Sequence, residues 1–210
     1  MKKKLLILFL MAALVMMFSF TGCAKSEEGS AAEPASSASA EEETPAGAAY
    51  GYAGEDPVEL AAYKYMVEEE TKNYDKADVS IPTVTIFHED LTDPEDVAVY
   101  GDFWIENYNI EGDTLKCVSG GNYSGVMHMT PDGDNYIVKS FDVVADGADF
   151  DASARELFGE HYEDFMKVYS DSEARAELRK ITISDYVNMN GLEVTKFQDE
   201  GWDPIDLILQ

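Results

Sequence analysis

Asp96 to Asn109, DVAVYGDFWIENYN, is the stretch on which the fold turns. Branched and aromatic side chains recur there at alternate positions, the period of a pleated strand with one face buried, and Gly101 marks a bend. In strict alternation Phe103, Ile105 and Asn107 share one face, while Trp104, Glu106 and Tyr108 share the other. One face must be core. The second is either a ligand surface or the floor beneath C-terminal helices, and the helix-covered arrangement is the favoured one of the two.

Extended segments continue on both sides of this strand. Val79 to His88 is rich in branched and aromatic residues, and Pro82, which has no amide to donate, places it at a sheet edge or a bulge. Glu111-Gly112-Asp113 is turn chemistry before Thr114 to Val118, and Tyr123 to Thr130 is the next extended piece. Pro131-Asp132-Gly133-Asp134 then folds a hairpin onto Tyr136 to Val144. Together these give four or five antiparallel strands.

Helical periodicity brackets this middle. Asp56 is placed to cap a helix and Pro57 to open it, with Val58, Ala61, Ala62, Tyr65 and Met66 forming an apolar stripe that predicts a helix to about Tyr74. Beyond Asp146 the period returns in Ala152 to Phe158, stopped by Gly159, in His161 to Tyr169, and in Ser172 to Asn190, stopped by Gly191. The tail, with Trp202 and Asp203-Pro204, is expected as an irregular cover. Helix, meander, helices describes an α+β domain: a curved antiparallel sheet of four or five strands, covered on one face, packed with an N-terminal helix and C-terminal helices.

The start of the chain has another character. Met1 to Lys4 is positively charged, and Leu5 to Phe20 is an unbroken apolar or small-residue run, the layout of an export signal and shorter than the roughly 20 residues that a spanning helix needs. It closes on Phe20-Thr21-Gly22-Cys23. The stretch resembles the lipobox of bacterial lipoproteins: Gly22 and Cys23 match, and Phe20 stands where that family usually carries Leu. The resemblance implies removal of residues 1–22, diacylglycerol on the Cys23 thiol, and attachment to the extracytoplasmic face of the cell membrane. Ordinary secretion, with cleavage at Gly22-Cys23-Ala24, is the alternative. Residues 23–50 then read as a lipidated cysteine and a disordered tether of Ala, Ser, Glu, Gly and Pro, with a reach near 30 Å by the rule for flexible coils. Residues 51–210 form a single acidic domain.

The helix and meander order is similar to cystatin-like and NTF2-like folds, in which a bent sheet wraps a helix. Tyr100 to Gly125, followed by Ser140-Phe141-Asp142, resembles lipoproteins of Gram-positive gut anaerobes that have no activity to transfer.

Charge narrows the partners. The chain has 15 basic and 42 acidic residues, and losing Lys2, Lys3 and Lys4 with the signal brings the formal charge to about −30. No run of Lys or Arg follows the signal, so nucleic acid is excluded as a partner, and anionic headgroups repel the body of the protein. Cys23 and Cys117 flank the tether, so no internal disulfide framework forms and packing must hold the fold.

No G-x-S-x-G, H-E-x-x-H, P-loop or C-x-x-C pattern is present, and neither catalytic residues nor a cofactor is nominated. Cys117 and His128 are the most reactive pair that a hairpin could bring onto adjacent strands. Asp132 with Asp134, and the group Asp142, Asp146, Asp149 and Asp151, have the oxygen chemistry of calcium loops, but EF-hand spacing is missing and turns and helix caps account for them. Trp104, Tyr108 and Tyr123 are the candidate ligand surface, in the mouth of a curved sheet suited to apolar or sugar-like ligands. The reading is a non-enzymatic module that binds a small ligand or an envelope protein partner. The alternative is an envelope hydrolase, which requires two or more of His88, His128, His161 and Cys117 to converge in an open cleft with a carboxylate.

Overall fold

The computed structural model describes residues 54–210, so the signal segment, Cys23 and the tether lie outside the described residues. Asp56 caps the first helix, α1 (Pro57–Glu68), by accepting from the amides of Val58 and Glu59, and Pro57 fills the position where no amide is needed. The helix stops short of Tyr74 and gives way to a 3-10 turn over Glu70–Asn73. The run Glu68-Glu69-Glu70 supplies a reason. Carboxylates at a helix C-terminus oppose its dipole, and no basic residue in the last turn of α1 offsets them.

Five strands follow: β1 (Val79–Asp90), β2 (Val97–Glu111), β3 (Thr114–Asn122), β4 (Gly125–Asp132) and β5 (Asn135–Val143). The axis of the sheet is β2, the stretch whose alternation was legible. One of its edges pairs antiparallel with β1, from Val79 opposite Tyr108 to Asp90 opposite Ala98, with a bulge at Phe87. Pro82 is accommodated because β1 pairs with β2 alone.

The other edge of β2 meets β3 and β4 in succession. Ile105 stands opposite Gly121 and Gly101 opposite Gly125, a single register that puts Ser124 and Tyr123 across from Asp102 and Phe103 where the two strands part. β3 and β4 are thus two halves of one line of chain, still joined to β2 in the gap by the Tyr123 amide, which donates to the Phe103 carbonyl at 2.7 Å. β5 flanks β4 through a hairpin that turns at Gly133.

The helices α2 (Phe150–Phe158), α3 (Tyr162–Ser170) and α4 (Ser172–Asn190) come next, close to their expected bounds. Gly191 ends α4 in the left-handed conformation at φ +60°, and Leu192 donates to the Val187 carbonyl, which closes the last turn. The tail departs from the expected irregular cover. It adds β6 (Lys196–Gln198), parallel to β3, and β7 (Ile205–Asp206), antiparallel to β6. Among the described residues the sheet therefore has seven strands rather than four or five, and it is mixed. Strands of three and two residues are too short to display alternation, and a parallel neighbour forms only after a long crossover, here the whole helical region.

Both faces of the sheet are covered, the arrangement favoured from the alternation of β2. Val97, Val99, Phe103 and Ile105 of β2 pack with Val58, Ala62, Tyr63 and Met66 of α1. The opposite face carries two further clusters: Ala98 and Tyr100 against Phe158 and Phe165 of α2 and α3, and Tyr108 against Ile183, Tyr186 and Val187 of α4. Between those two clusters the same face holds Asp102, Trp104 and Glu106, a polar strip in the middle of the domain.

Candidate functional site

The gap between β3 and β4 is organised by a buried carboxylate. Asp102, 2 % exposed, accepts hydrogen bonds from Ser124 Oγ and Asn122 Nδ2, each at 2.6 Å, and from Trp104 Nε1 at 2.9 Å. Ser124 Oγ also lies 2.9 Å from Asn122 Oδ1. Three donors meeting one carboxylate offset much of its desolvation and fix the chain where the ladder is open.

Beside this gap lies an open recess of about 520 Å³, lined by Tyr74, Gly121, Asn122, Tyr123, Asp146, Gly147, Phe150 and Tyr169. Each part of the sequence reaches it for a local reason. The 3-10 turn after α1 delivers Tyr74, whose hydroxyl lies 2.9 Å from that of Tyr123. Burial first, and then the bond to Tyr123, push the Tyr74 hydroxyl well above the usual tyrosine range. Glu70 contacts the Tyr123 hydroxyl, and its carboxyl is raised chiefly by burial. Gly121 leaves room for the Tyr74 hydroxyl, which a Cβ there would displace. From the helical side Phe150 and Tyr169 come together with ring centroids 4.9 Å apart at 37°. All four aromatic residues are half-buried.

The structure separates the three expected surface residues. Tyr123 lines the recess. Trp104 is half-buried on the other face of β2, with the Arg175 guanidinium 4.8 Å from its ring. Tyr108 is no surface at all: it is fully buried beneath α4, and its hydroxyl accepts from Arg179 at 2.8 and 3.1 Å. Alternation assigned Trp104 and Tyr108 to the correct face, but it reports direction and not depth. Sequence reasoning missed Tyr74, Asp146, Phe150 and Tyr169, which come from three separate segments whose convergence no local spacing encodes.

Under α4 the same face carries a cluster of charges. Arg179 clamps Asp199 through two parallel bonds of 2.8 and 2.7 Å, and its Nε lies 3.3 Å from Glu106 Oε1. Burial pushes the Glu106 carboxyl up to about 7 against the opposing pull of Arg179, while the bonds from Arg179 hold Asp199 below the usual carboxylate range. Glu106 Oε2 has no hydrogen-bond partner. Cys117 adjoins this cluster, but burial drives its thiol up to about 11, which leaves almost none of it as the nucleophilic thiolate at neutral pH.

The other reactive groups lie apart. Cys117 stands opposite Tyr108 and His128 opposite Ala98, so the pairing of strands sets them about 33 Å from each other along β2 rather than on adjacent strands. His128 sits between Asp96 at 3.1 Å and Asp142 at 3.6 Å. His88 and His161 do converge, stacked at 3.7 Å beside Tyr100, but neither lines the recess. Among the described residues no group of three or more His, Cys, Asp or Glu is placed to hold a metal ion. No protein-family model, curated protein or solved structure matches the chain.

Proposed function

We propose that the protein is a lipid-anchored module on the extracytoplasmic face of the cell membrane that captures a small ligand in the recess beside the β3–β4 gap. The observation that carries this reading is the convergence of four half-buried aromatic rings, from segments far apart in sequence, on one open concavity. Rings of this kind give large contact area at little entropic cost, the usual chemistry of a preformed ligand seat. The lining holds no His, Cys or Lys to act as a nucleophile or proton carrier, which favours capture over turnover. The Gly22-Cys23 motif and the spacer after it support display on a tether.

A hydrolase has two features in its favour: the stacked pair His88 and His161, with Glu160 Oε1 4.0 Å from His161 Nε2 but neither ring lining the recess, and the Glu106 carboxyl, pushed up to about 7. That carboxyl is 9 % exposed and lies under α4, and the charged groups around it already form a clamp. Capture is the better account.

Thermal-shift measurement of the full chain in detergent against neutral oligosaccharides, short peptides and organic cations tests the proposal, because a ligand that binds only the native state raises its melting point. At least one class is expected to raise it, and Tyr123→Leu to abolish the rise. A flat response across all three classes refutes capture of a small ligand.

A further inference from the structure

Several side-chain hydrogen-bonding groups of the recess are committed to the protein. Asn122 donates Nδ2 to Asp102 at 2.6 Å. The hydroxyls of Tyr74 and Tyr123 bond each other at 2.9 Å, and that of Tyr123 also contacts Glu70. A sugar, which is recognised by side-chain donors and acceptors around its hydroxyls, finds those groups occupied. The lining also brings together four aromatic side chains and one carboxylate. The Asp146 side chain makes no hydrogen bond or ion pair with any described residue and caps no helix.

No Lys, Arg or His is among the lining residues. Arg175 is near, but its Nη1 donates to the Tyr169 carbonyl at 3.2 Å and its guanidinium lies over Trp104. Lys72 and Lys76 line a separate recess that shares Tyr74, and Lys72 is bonded to Glu69 at 2.6 Å. Around all of this the chain carries a formal charge of −27, a field that concentrates cations at its surface and repels anions.

Resting on the capture reading, we infer that the ligand is a quaternary ammonium compound, its alkylated cation seated against Tyr74, Tyr123, Phe150 and Tyr169 and countered by Asp146. The face of an aromatic ring is the negative end of its quadrupole and attracts a cation laid against it. A quaternary head is weakly hydrated and needs no hydrogen-bond acceptor, which suits a wall that carries four aromatic side chains and a single carboxylate. The volume of about 520 Å³ exceeds a trimethylammonium head, so the rest of the ligand has room in the open side of the recess.

Calorimetric titration of the full chain in detergent micelles with three probes is the test: choline, its uncharged isostere in which a tert-butyl group replaces trimethylammonium, and cellotetraose. Choline is expected to bind about tenfold more tightly than the isostere. Asp146→Asn, at an exposed loop position where the fold does not depend on it, should weaken choline about fivefold or more and leave the isostere unchanged. Equal binding of choline and isostere, or choline binding indifferent to Asp146→Asn, overturns the assignment. Binding of cellotetraose without choline overturns it while the capture reading stands. Heat from none of the three, joined to a flat thermal-shift panel, removes both.

Discussion

Arg179 lies 3.3 Å from the buried carboxylate of Glu106, but its hydrogen bonds go to Asp199 and Tyr108. Burial pushes the Glu106 carboxyl from 4.5 up to about 7, and the nearby Arg179 charge only partly opposes the rise. The folded state then holds a proton that the unfolded chain releases near 4.5. The resulting stabilisation is complete below that pH and is lost as pH rises through about 7. Urea unfolding at pH 5 and pH 8 is expected to show Glu106→Gln with a flatter pH dependence than the parent, by about 2–2.5 kcal/mol between the two conditions. Parallel profiles for the two proteins would remove Glu106 from the account.

Removing the other partner should be worse. Arg179→Ala strips Asp199 and Tyr108 of their donors and leaves Glu106 uncompensated, at an expected cost of about 3–5 kcal/mol in denaturant melts near neutral pH. Adding Glu106→Gln to Arg179→Ala should recover about 1 kcal/mol or more of that loss. Strict additivity of the two changes would mean that the pair is not coupled.

Two glycines beside the gap predict contrasting outcomes. A Cβ on Gly125 would run into the Asp142 carbonyl, backbone of the neighbouring strand that cannot yield without opening β4 from β5, so Gly125→Ala should cost about 1–3 kcal/mol. A Cβ on Gly121 meets the Tyr74 hydroxyl, the far end of a side chain. Gly121→Ala should leave stability nearly intact, break the bond between Tyr74 and Tyr123, and impair ligand uptake. Melting curves and binding isotherms of the two variants separate these effects; equal stability losses would contradict the contrast.

Asp102→Ala leaves two donors, Asn122 Nδ2 and Trp104 Nε1, without their acceptor, while Ser124 Oγ keeps Asn122 Oδ1 at 2.9 Å. A loss of about 3 kcal/mol or more is expected, together with a changed near-ultraviolet signal as the Trp104 indole is freed. An unaltered spectrum would show that the indole does not depend on this bond.

Attachment can be read by mass. Protein recovered from native membranes should begin at Cys23 and carry acyl chains, and Cys23→Ser should appear in the soluble fraction or keep its leader. Recovery of Cys23→Ser in the membrane at unchanged mass would exclude the lipid anchor.

The parts of this architecture that were legible in sequence are those written in local periodicity. DVAVYGDFWIENYN declared its alternation, Pro82 its edge position, and Asp56-Pro57 and Gly191 the ends of helices, because each follows from contacts within a few residues. Trp104 and Tyr108 were assigned to the helix-facing side for the same reason. That Tyr108 is sealed while Tyr123 is open depends on where α4 and the β3–β4 gap fall, which is tertiary information. The recess unites Tyr74, Tyr123, Phe150 and Tyr169 from the ends of four different elements. The pairing of Lys196–Gln198 with β3 was hidden likewise, since three residues carry no period and their partner is set by chain topology.

The ladder resumes after Tyr123 and Ser124 in the frame it had before them. The chamber beside that interruption is consequently an addition to the scaffold rather than a fault in it. Its walls can be exchanged at Tyr74, Phe150 or Tyr169 without forcing any strand to slip, so one skeleton can be retuned to a series of guests by side-chain replacement alone.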